Sequence, residues 1–454
     1  MKFVLLNLFL LACIEAKHLS TKSVFSKSSN QNNDKLSLQA GAAVISDDKS
    51  TLMTSSINLA KCIGGAGVLS LPAGVALFSD APSALIPSAL IATIMGIMSG
   101  YTFSAIGKAC DTYKESSYQE LWGKAIGQNT KFFVSGASCA KTIFASLALT
   151  IILGDTFKSL ALSFNAPNFI TNRTNMIIML STLILLPLCS LKSLASLAPF
   201  SILGTFGIVY TAIFMTIRYF DGSYQEGGEF FNNMADHLKP VFNQNPNGVN
   251  KLTMVLLSML STAYIAHYNA PKFFTELENT NMDRFNFVTR FGFGSSILLF
   301  LWIMSIGFLT FGGNSQGLIL NNYSSSDPLA IAARVSIGLA LITGFPFVFT
   351  ALREGILDMF KIKDKKRDDA FMPFTVTLLT LISILAINLT DVGFVVSFAG
   401  ALFGSSLMFI IPATIDAATA TGSRLLLDRG IQVGGGLLTV LGVSISVLKQ
   451  LGKI

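Results

Sequence analysis

The sequence predicts an all-α polytopic membrane protein of about eleven transmembrane helices, built as a five-plus-five inverted repeat with broken helices 1 and 6. Three observations carry this expectation. First, of 454 residues, 51% are hydrophobic and only 13% are charged, whereas soluble domains run to about 25% charged. Second, an apolar stretch from about Leu52 to Phe78 is interrupted at its centre by Gly64, Gly65 and Gly67, with Lys61 before them and Pro72 after. Third, a similar interruption recurs five spans later. An odd repeat length makes the second copy enter from the opposite side, as inversion requires.

The first interrupted stretch, Ile57 to Pro72, reads I-N-L-A-K-C-I-G-G-A-G-V-L-S-L-P. Each helical glycine there costs about 1 kcal/mol, and non-helical backbone at membrane depth survives only where it lines a cavity or is buried in protein. The stretch therefore reads as two half-helices flanking an unwound Gly64-Gly65-Ala66-Gly67. Unwinding bares N–H groups at one helix start and C=O groups at the other helix end, which suit a carboxylate and an ammonium or cation respectively. The competing reading is a close helix-packing face made by Gly64, Ala66 and Gly67.

Residues 1–16 carry one lysine, a short apolar run and a terminal Ala16, the pattern of a signal peptide or of an uncut surface anchor. Residues 17–50 are rich in Ser, Lys and Asn and read as disordered, with an acid-poor first half of transit-peptide composition. Ten further spans are expected near 82–107, 131–154, 174–190, 194–219, 251–275, 288–312, 328–351, 372–390, 392–415 and 431–448. Ser117 to Glu120 matches a capping box and predicts a short surface helix. The 353–371 segment, with Arg353, Lys361, Lys363, Lys365, Lys366 and Arg367, reads as a basic loop.

With the N-terminus inside, the inside segments hold 21 Lys/Arg and the outside segments 7, the bias of the positive-inside rule. Asn172-Arg-Thr and Asn322-Tyr-Ser then fall on outside loops, where glycosylation sequons belong. The net charge of +7 sits mostly in loops, so no nucleic-acid partner is expected; the expected partners are a small solute and the bilayer. The five cysteines have neither metal-ligand nor disulfide-framework spacing, and no metal or cofactor is expected.

The second break lies in Ser261-Thr-Ala-Tyr-Ile-Ala-His267-Tyr-Asn-Ala-Pro271. His267 is the one histidine expected inside the membrane, as a functional group or as a hydrogen-bonded brace. Lys141 and Arg334 read as snorkelling or proton-linked charges. No convergent set of His, Asp, Glu or Cys suggests an enzyme, and no filter loop suggests a channel.

The pattern N-L-x-K-x-I-G-G-A-G-V-L-S-L-P resembles the first helix of the amino acid/auxin permease family, within the amino acid–polyamine–cation superfamily. Leu186-Pro-Leu-Cys-Ser-Leu-Lys-Ser-Leu, Tyr264-Ile-Ala-His-Tyr-Asn, Phe345-Pro346 with Arg353, and Asp391-Val-Gly with Gly400-Ala-Leu and Ile411-Pro412 resemble later family segments in the same order. The resemblance covers residues 52–450 and marks 51–454 as an amino acid transporter domain. It implies secondary transport of amino acids, of the neutral class. By resemblance, the substrate carboxylate would meet N–H groups around Gly65, Ala66 and Gly67, beside Gly64. Its amine would meet carbonyls near Lys61 to Ile63 and around Ser261 to Tyr264, with His267 close by.

The sodium-coupled animal members resemble the chain around span 1 but carry asparagine at the place of Lys61. They carry threonine at the place of Gly344, beside Thr343. Lys61, Thr343 and Gly344 are therefore the ion-coupling candidates. The departures imply proton-coupled or facilitative transport rather than sodium symport, with a transport-dead sensor as the other alternative. A signal peptide followed by a basic transit stretch favours a plastid envelope over a vacuolar or plasma membrane.

Overall fold

Glycine and proline set the helix ends that matter most for the site. The protein is described by a computed structural model over residues 49–191, 194, 197, 201–243, 250–360 and 364–453. The signal-peptide-like segment 1–16 and the tail as far as residue 48 lie outside these described residues. Among the described residues, eight helical segments are long and apolar enough to cross a membrane: Leu52–Phe78, Pro82–Tyr113, Gln128–Ser163, Met282–Phe311, Pro328–Met359, Ala370–Asn388, Val392–Ala417 and Gly422–Gln450. Arg173–Cys189, Ser201–Phe220 and the pair Thr253–Ala263 with Ala270–Glu276 occupy the other three expected positions. The segments are called spans 1 to 11 in chain order.

Span 1 is broken. Its first helix, Leu52–Ile63, starts at Thr51, whose side chain accepts the Thr54 N–H at 3.3 Å. The helix stops at Gly64, and Gly65 is extended (φ −77°, ψ 177°). Ala66–Ser70 then form a 3-10 helix and Leu71–Phe78 an α-helix. Pro72 sits in the first turn of that α-helix, where a missing N–H removes no helical bond. The unwound part is thus two residues rather than four, because Ala66 and Gly67 already belong to the 3-10 turn.

Span 6 breaks in the same manner. The helix Thr253–Ala263 gives way at Tyr264 to Ala266, followed by a 3-10 turn His267–Asn269 and the helix Ala270–Glu276, with Pro271 in its first turn. The two broken spans run antiparallel. Ser50 N–H donates to Glu276 O at 2.8 Å at one end, and Asn250 Nδ2 donates to Phe78 O at 2.9 Å at the other. Their breaks therefore come level, and Asn269 Nδ2 reaches Cys62 Sγ at 3.3 Å between them.

Glycines let span 6 pack closely on spans 10 and 11. A methyl group at Gly400 would overlap the Ser258 carbonyl, and one at Gly442 would lie 2.6 Å from Ser258 Oγ. Thr262 Oγ1 also donates to Val396 O at 2.6 Å. Gly400 lies in a π-helical stretch, Gly400–Gly404, followed by a second, Ser406–Ile410. Gly400→Ala is expected to lower stability by about 1–3 kcal/mol, because overpacking against backbone forces the helices apart. Thermal unfolding of the purified protein in detergent measures this, and an unchanged midpoint would refute the close contact.

Several expectations change. Span 8 continues to Met359, well past its expected end, and Arg353 is buried inside it. The Arg353 guanidinium donates at 3.0 Å to both Cys189 O and Thr375 Oγ1, so it ties spans 4, 8 and 9 together instead of belonging to a basic loop. The expected helix after Ser117 is present at Tyr118–Ala125, but the Ser117 side chain makes no cap bond. Glu120 is drawn away by Lys131, at 2.8 Å. Asn322 is buried and both ends of its amide are used, to Asn314 O at 2.9 Å and from Gln316 N–H at 2.8 Å, so it cannot carry a glycan. Arg334 does not snorkel: it is 1% exposed and donates to Leu320 O, Tyr323 O and Ser324 O.

Candidate functional site

The level breaks of spans 1 and 6 make the candidate site. In span 1 the Gly65 N–H donates to Ile63 O at 2.7 Å, and Val68 N–H donates to Gly65 O at 3.2 Å. The N–H groups of Ala66 and Gly67 precede that first 3-10 bond and have no partner within the 3-10 helix. A Cβ added at Gly65 or Gly67 would meet nothing within 4 Å, and Gly65 is exposed. Neither residue has positive φ. Glycine here leaves the backbone bare against open space and does not serve an unusual turn. Gly64 is different, since a Cβ there would come 3.1 Å from Ala60 O and 3.6 Å from Leu299.

Lys61 lies in the last turn of the first half-helix, partly buried, three residues before Gly64. Its position brings a positive charge to the end where carbonyls project. Thr343 spends its hydroxyl on Leu339 O and Ala340 O of its own helix, at 3.0 and 3.1 Å. Gly344 beside it presents bare backbone with no neighbour within 4 Å of an added Cβ.

The span 6 side chains hold the break in place. Ser261 is buried, donates to Leu257 O at 3.0 Å and packs on Gly404 of span 10. Tyr264 sends its hydroxyl to Ala92 O in span 2 at 3.1 Å and lays its ring 4.7 Å from that of Phe300 in span 7. His267 is fully buried, with Nε2 at 2.9 Å from Thr102 Oγ1 and 3.1 Å from Ser99 O. A carbonyl only accepts, so the hydrogen-bond pattern assigns the proton to Nε2. Phe103 and Phe293 flank the ring. The brace reading of His267 is the one this geometry favours.

Two neighbours were less legible from sequence. Lys141 of span 3 donates to the Tyr268 hydroxyl at 3.1 Å and stands 4.3 Å over its ring. It is bound to the span 6 break and does not reach for the membrane face. Asn269 links that break to Cys62 of span 1. The available signal was the run His267-Tyr-Asn, three polar-capable side chains in succession within an apolar span.

One side of the site is covered by the segment between spans 7 and 8. Its 3-10 turn Ile319–Asn321 packs on the 3-10 turn of span 1. Asp327 anchors the segment: it is 0% exposed, accepts from Arg218 at 2.9 and 2.7 Å, accepts from the Tyr224 hydroxyl at 2.9 Å and caps span 8 through Leu329 N–H. Burial, then the Asp327 charge, push the Tyr224 phenol well above its usual range, so it acts as a donor throughout the working pH range. Asn321 Nδ2 reaches Asp155 Oδ2 at 3.3 Å, and Asp155 accepts from Arg173 at 2.7 Å.

The model of the transmembrane amino acid transporter protein family matches residues 48–424. The Arabidopsis thaliana protein named amino acid transporter AVT6E is 23% identical over 80% of this chain and 76% of its own length. The Danio rerio protein named "Putative sodium-coupled neutral amino acid transporter 11" is 24% identical over 80% of this chain and 78% of its own. Vacuolar amino acid transporter 7 of Saccharomyces cerevisiae is 25% identical over 67% of this chain and 58% of its own. A solved structure titled "Inward facing conformation of Mhp1" superposes with a TM-score of 0.55 at 12% identity, covering 92% of this chain and 94% of that one. That likeness concerns the fold alone. With two level, broken spans and a family match over most of its length, the chain belongs to the transmembrane amino acid transporter family and is a multi-pass integral membrane protein, not an enzyme.

Proposed function

We propose that the protein is a secondary active transporter of neutral amino acids that works by alternating access, coupled to protons or facilitative, with no sodium requirement. The observation that carries this reading is the bare, accessible backbone at Gly65 and Gly67, level with the break of span 6. A carboxylate fits the free N–H groups at the start of the 3-10 turn, and an ammonium fits carbonyls at the ends of the two first half-helices. Breaks five spans apart in antiparallel partners agree with a five-plus-five inverted repeat, in which one bundle rocks against the other around the site.

Lys61 supports the absence of sodium. Its ammonium stands where sodium-coupled members carry a neutral amide, and the Thr343 hydroxyl is already held by its own helix. In proteoliposomes, uptake of labelled neutral amino acids is expected to proceed without sodium and to follow an inward pH gradient if coupled. Uptake that follows a sodium gradient and ignores pH would refute it. For the membrane, the names of the yeast relatives, vacuolar amino acid transporters 7 and 2, favour a vacuolar-type membrane over the plastid envelope expected from residues 1–50.

A further inference from the structure

A buried carboxylate with one bare oxygen lies where spans 2, 10 and 11 meet. Asp416 lies near the end of span 10, and Asp428 in the second turn of span 11. The Arg424 guanidinium clasps Asp416, with Nε to Oδ2 at 2.8 Å and Nη2 to Oδ1 at 2.5 Å. That pair balances itself. Asp428 is 0% exposed, its Oδ1 accepts the Tyr101 hydroxyl at 3.1 Å, and its Oδ2 has no hydrogen-bond partner. The Asp416 carboxyl also faces Asp428. Two carboxyl groups thus share one guanidinium, which is bonded to Asp416, and Asp428 Oδ2 has no donor.

Among the described residues, the other elements packed on this end place no cation in a hydrogen bond or ion pair with Asp428. Spans 6 and 10 carry no Lys, Arg or His in the helices Thr253–Ala263 and Val392–Ala399 or in the two π-helical stretches. On the surface helix Tyr118–Ala125, the Tyr118 hydroxyl goes to Leu407 O, Glu120 pairs with Lys131 and Lys124 pairs with Glu115. On span 2, Lys108 follows Tyr101 by two turns and Asp111 pairs with Lys114, and on span 11 Arg429 donates to Gln432. The groups facing Asp428 are therefore Tyr101, Asp416 and Arg424.

We propose that Asp428 is a proton-binding site of the transporter, shared with Asp416 and read by Tyr101, and that this proton is the coupling ion. A proton on Oδ2 removes the unbalanced charge and supplies the one donor the carboxyl pair lacks. No redox or covalent step is involved: the proton comes from water and returns to it. The Arg424 side chain is 36% exposed, which gives the cluster a wet edge. Span 10 carries the state of the cluster inward. It is fastened to the first helix of span 6 through Thr262 to Val396 and through Gly400 on Ser258, close to the break.

This inference rests on the transport reading above, and the test separates the two. In proteoliposomes holding the full chain, labelled alanine, leucine and glutamine are followed in two assays: accumulation driven by an inward pH gradient, and exchange across equal pH. Asp428→Asn is expected to lower pH-driven accumulation about tenfold or more while leaving exchange within about twofold, a coupling loss of ordinary allosteric size. Accumulation by Asp428→Asn equal to that of the unaltered protein, or an unaltered protein indifferent to the pH gradient, would overturn the proposal. The infrared C=O band of a protonated carboxyl, recorded on detergent-purified protein, is expected to be lost in Asp428→Asn and retained, shifted, in Asp428→Glu. This second readout needs no transport: absent exchange in the unaltered protein refutes the transport reading, while a band unchanged by Asp428→Asn refutes the proton site. The Asp428→Glu comparison also serves if the asparagine variant does not fold.

Discussion

Gly65→Leu and Gly67→Leu are expected to abolish amino acid uptake while the protein still folds and inserts. The usual effect of replacing a packed glycine is a clash, but here an added Cβ meets nothing within 4 Å at either position. Both residues also have backbone angles open to any residue, so strain does not destabilise the variants. The leucine side chain instead fills the space beside the N–H groups of Ala66 and Gly67, which the 3-10 helix does not itself bond. Alanine at the same positions is expected to have a milder effect, since its methyl occupies less of that space. Size-exclusion profiles and uptake in proteoliposomes would be measured together. Normal uptake by a well-folded Gly67→Leu protein would show that the break serves packing alone.

Asp327→Ala is expected to be the most destabilising single change outside the breaks. It strips Arg218 of a bidentate partner at 2.9 and 2.7 Å, the Tyr224 hydroxyl of its acceptor, and span 8 of its cap. Arg218 retains Asp221 at 2.9 Å, an acid that is itself a third exposed. Removing one partner of a buried ion pair costs about 3–5 kcal/mol, because the other charge stays desolvated. Asp327→Asn keeps an acceptor for Tyr224 and the cap, so its loss is expected to be smaller. A melting temperature in detergent that is the same for Asp327→Ala as for the unaltered protein would refute this. A further consequence is local: the segment over the 3-10 turn of span 1 loosens, which proteolysis between spans 7 and 8 would register.

Much of the architecture was legible because membrane depth forbids most alternatives. Charge is scarce and apolar runs are long, so helices follow. Gly64-Gly65-Ala66-Gly67 and the stretch Ser261–Pro271 stood out because glycine, histidine, asparagine and proline are costly inside such runs. The family resemblance rested on those interruptions together with segments at 186–194, 345–353 and 391–412. Helix ends were less legible. Span 8 outruns its expected end because Arg353 finds Cys189 O and Thr375 in the interior, and span 11 begins at Gly422 because Arg424 and Asp428 find partners in spans 2 and 10. A charged residue ends a span only when it has nowhere to go but water.

The amino-acid sequence by itself determined the class, the two interrupted spans and the family, since each depends on local composition and order. Only the tertiary structure decided which polar groups serve the site and which serve the scaffold. Arg334 and Asn322, both placed by sequence where water or sugar would meet them, are consumed by backbone groups of one loop. Lys141 turns to the span 6 break, and His267 is held by Thr102 and Ser99. Asp428 is left with a bare oxygen beside a second carboxyl more than ten residues away in sequence. A hydrogen bond or an uncompensated charge is a relation between residues brought together from distant spans, and its partners are fixed by packing rather than by sequence neighbours.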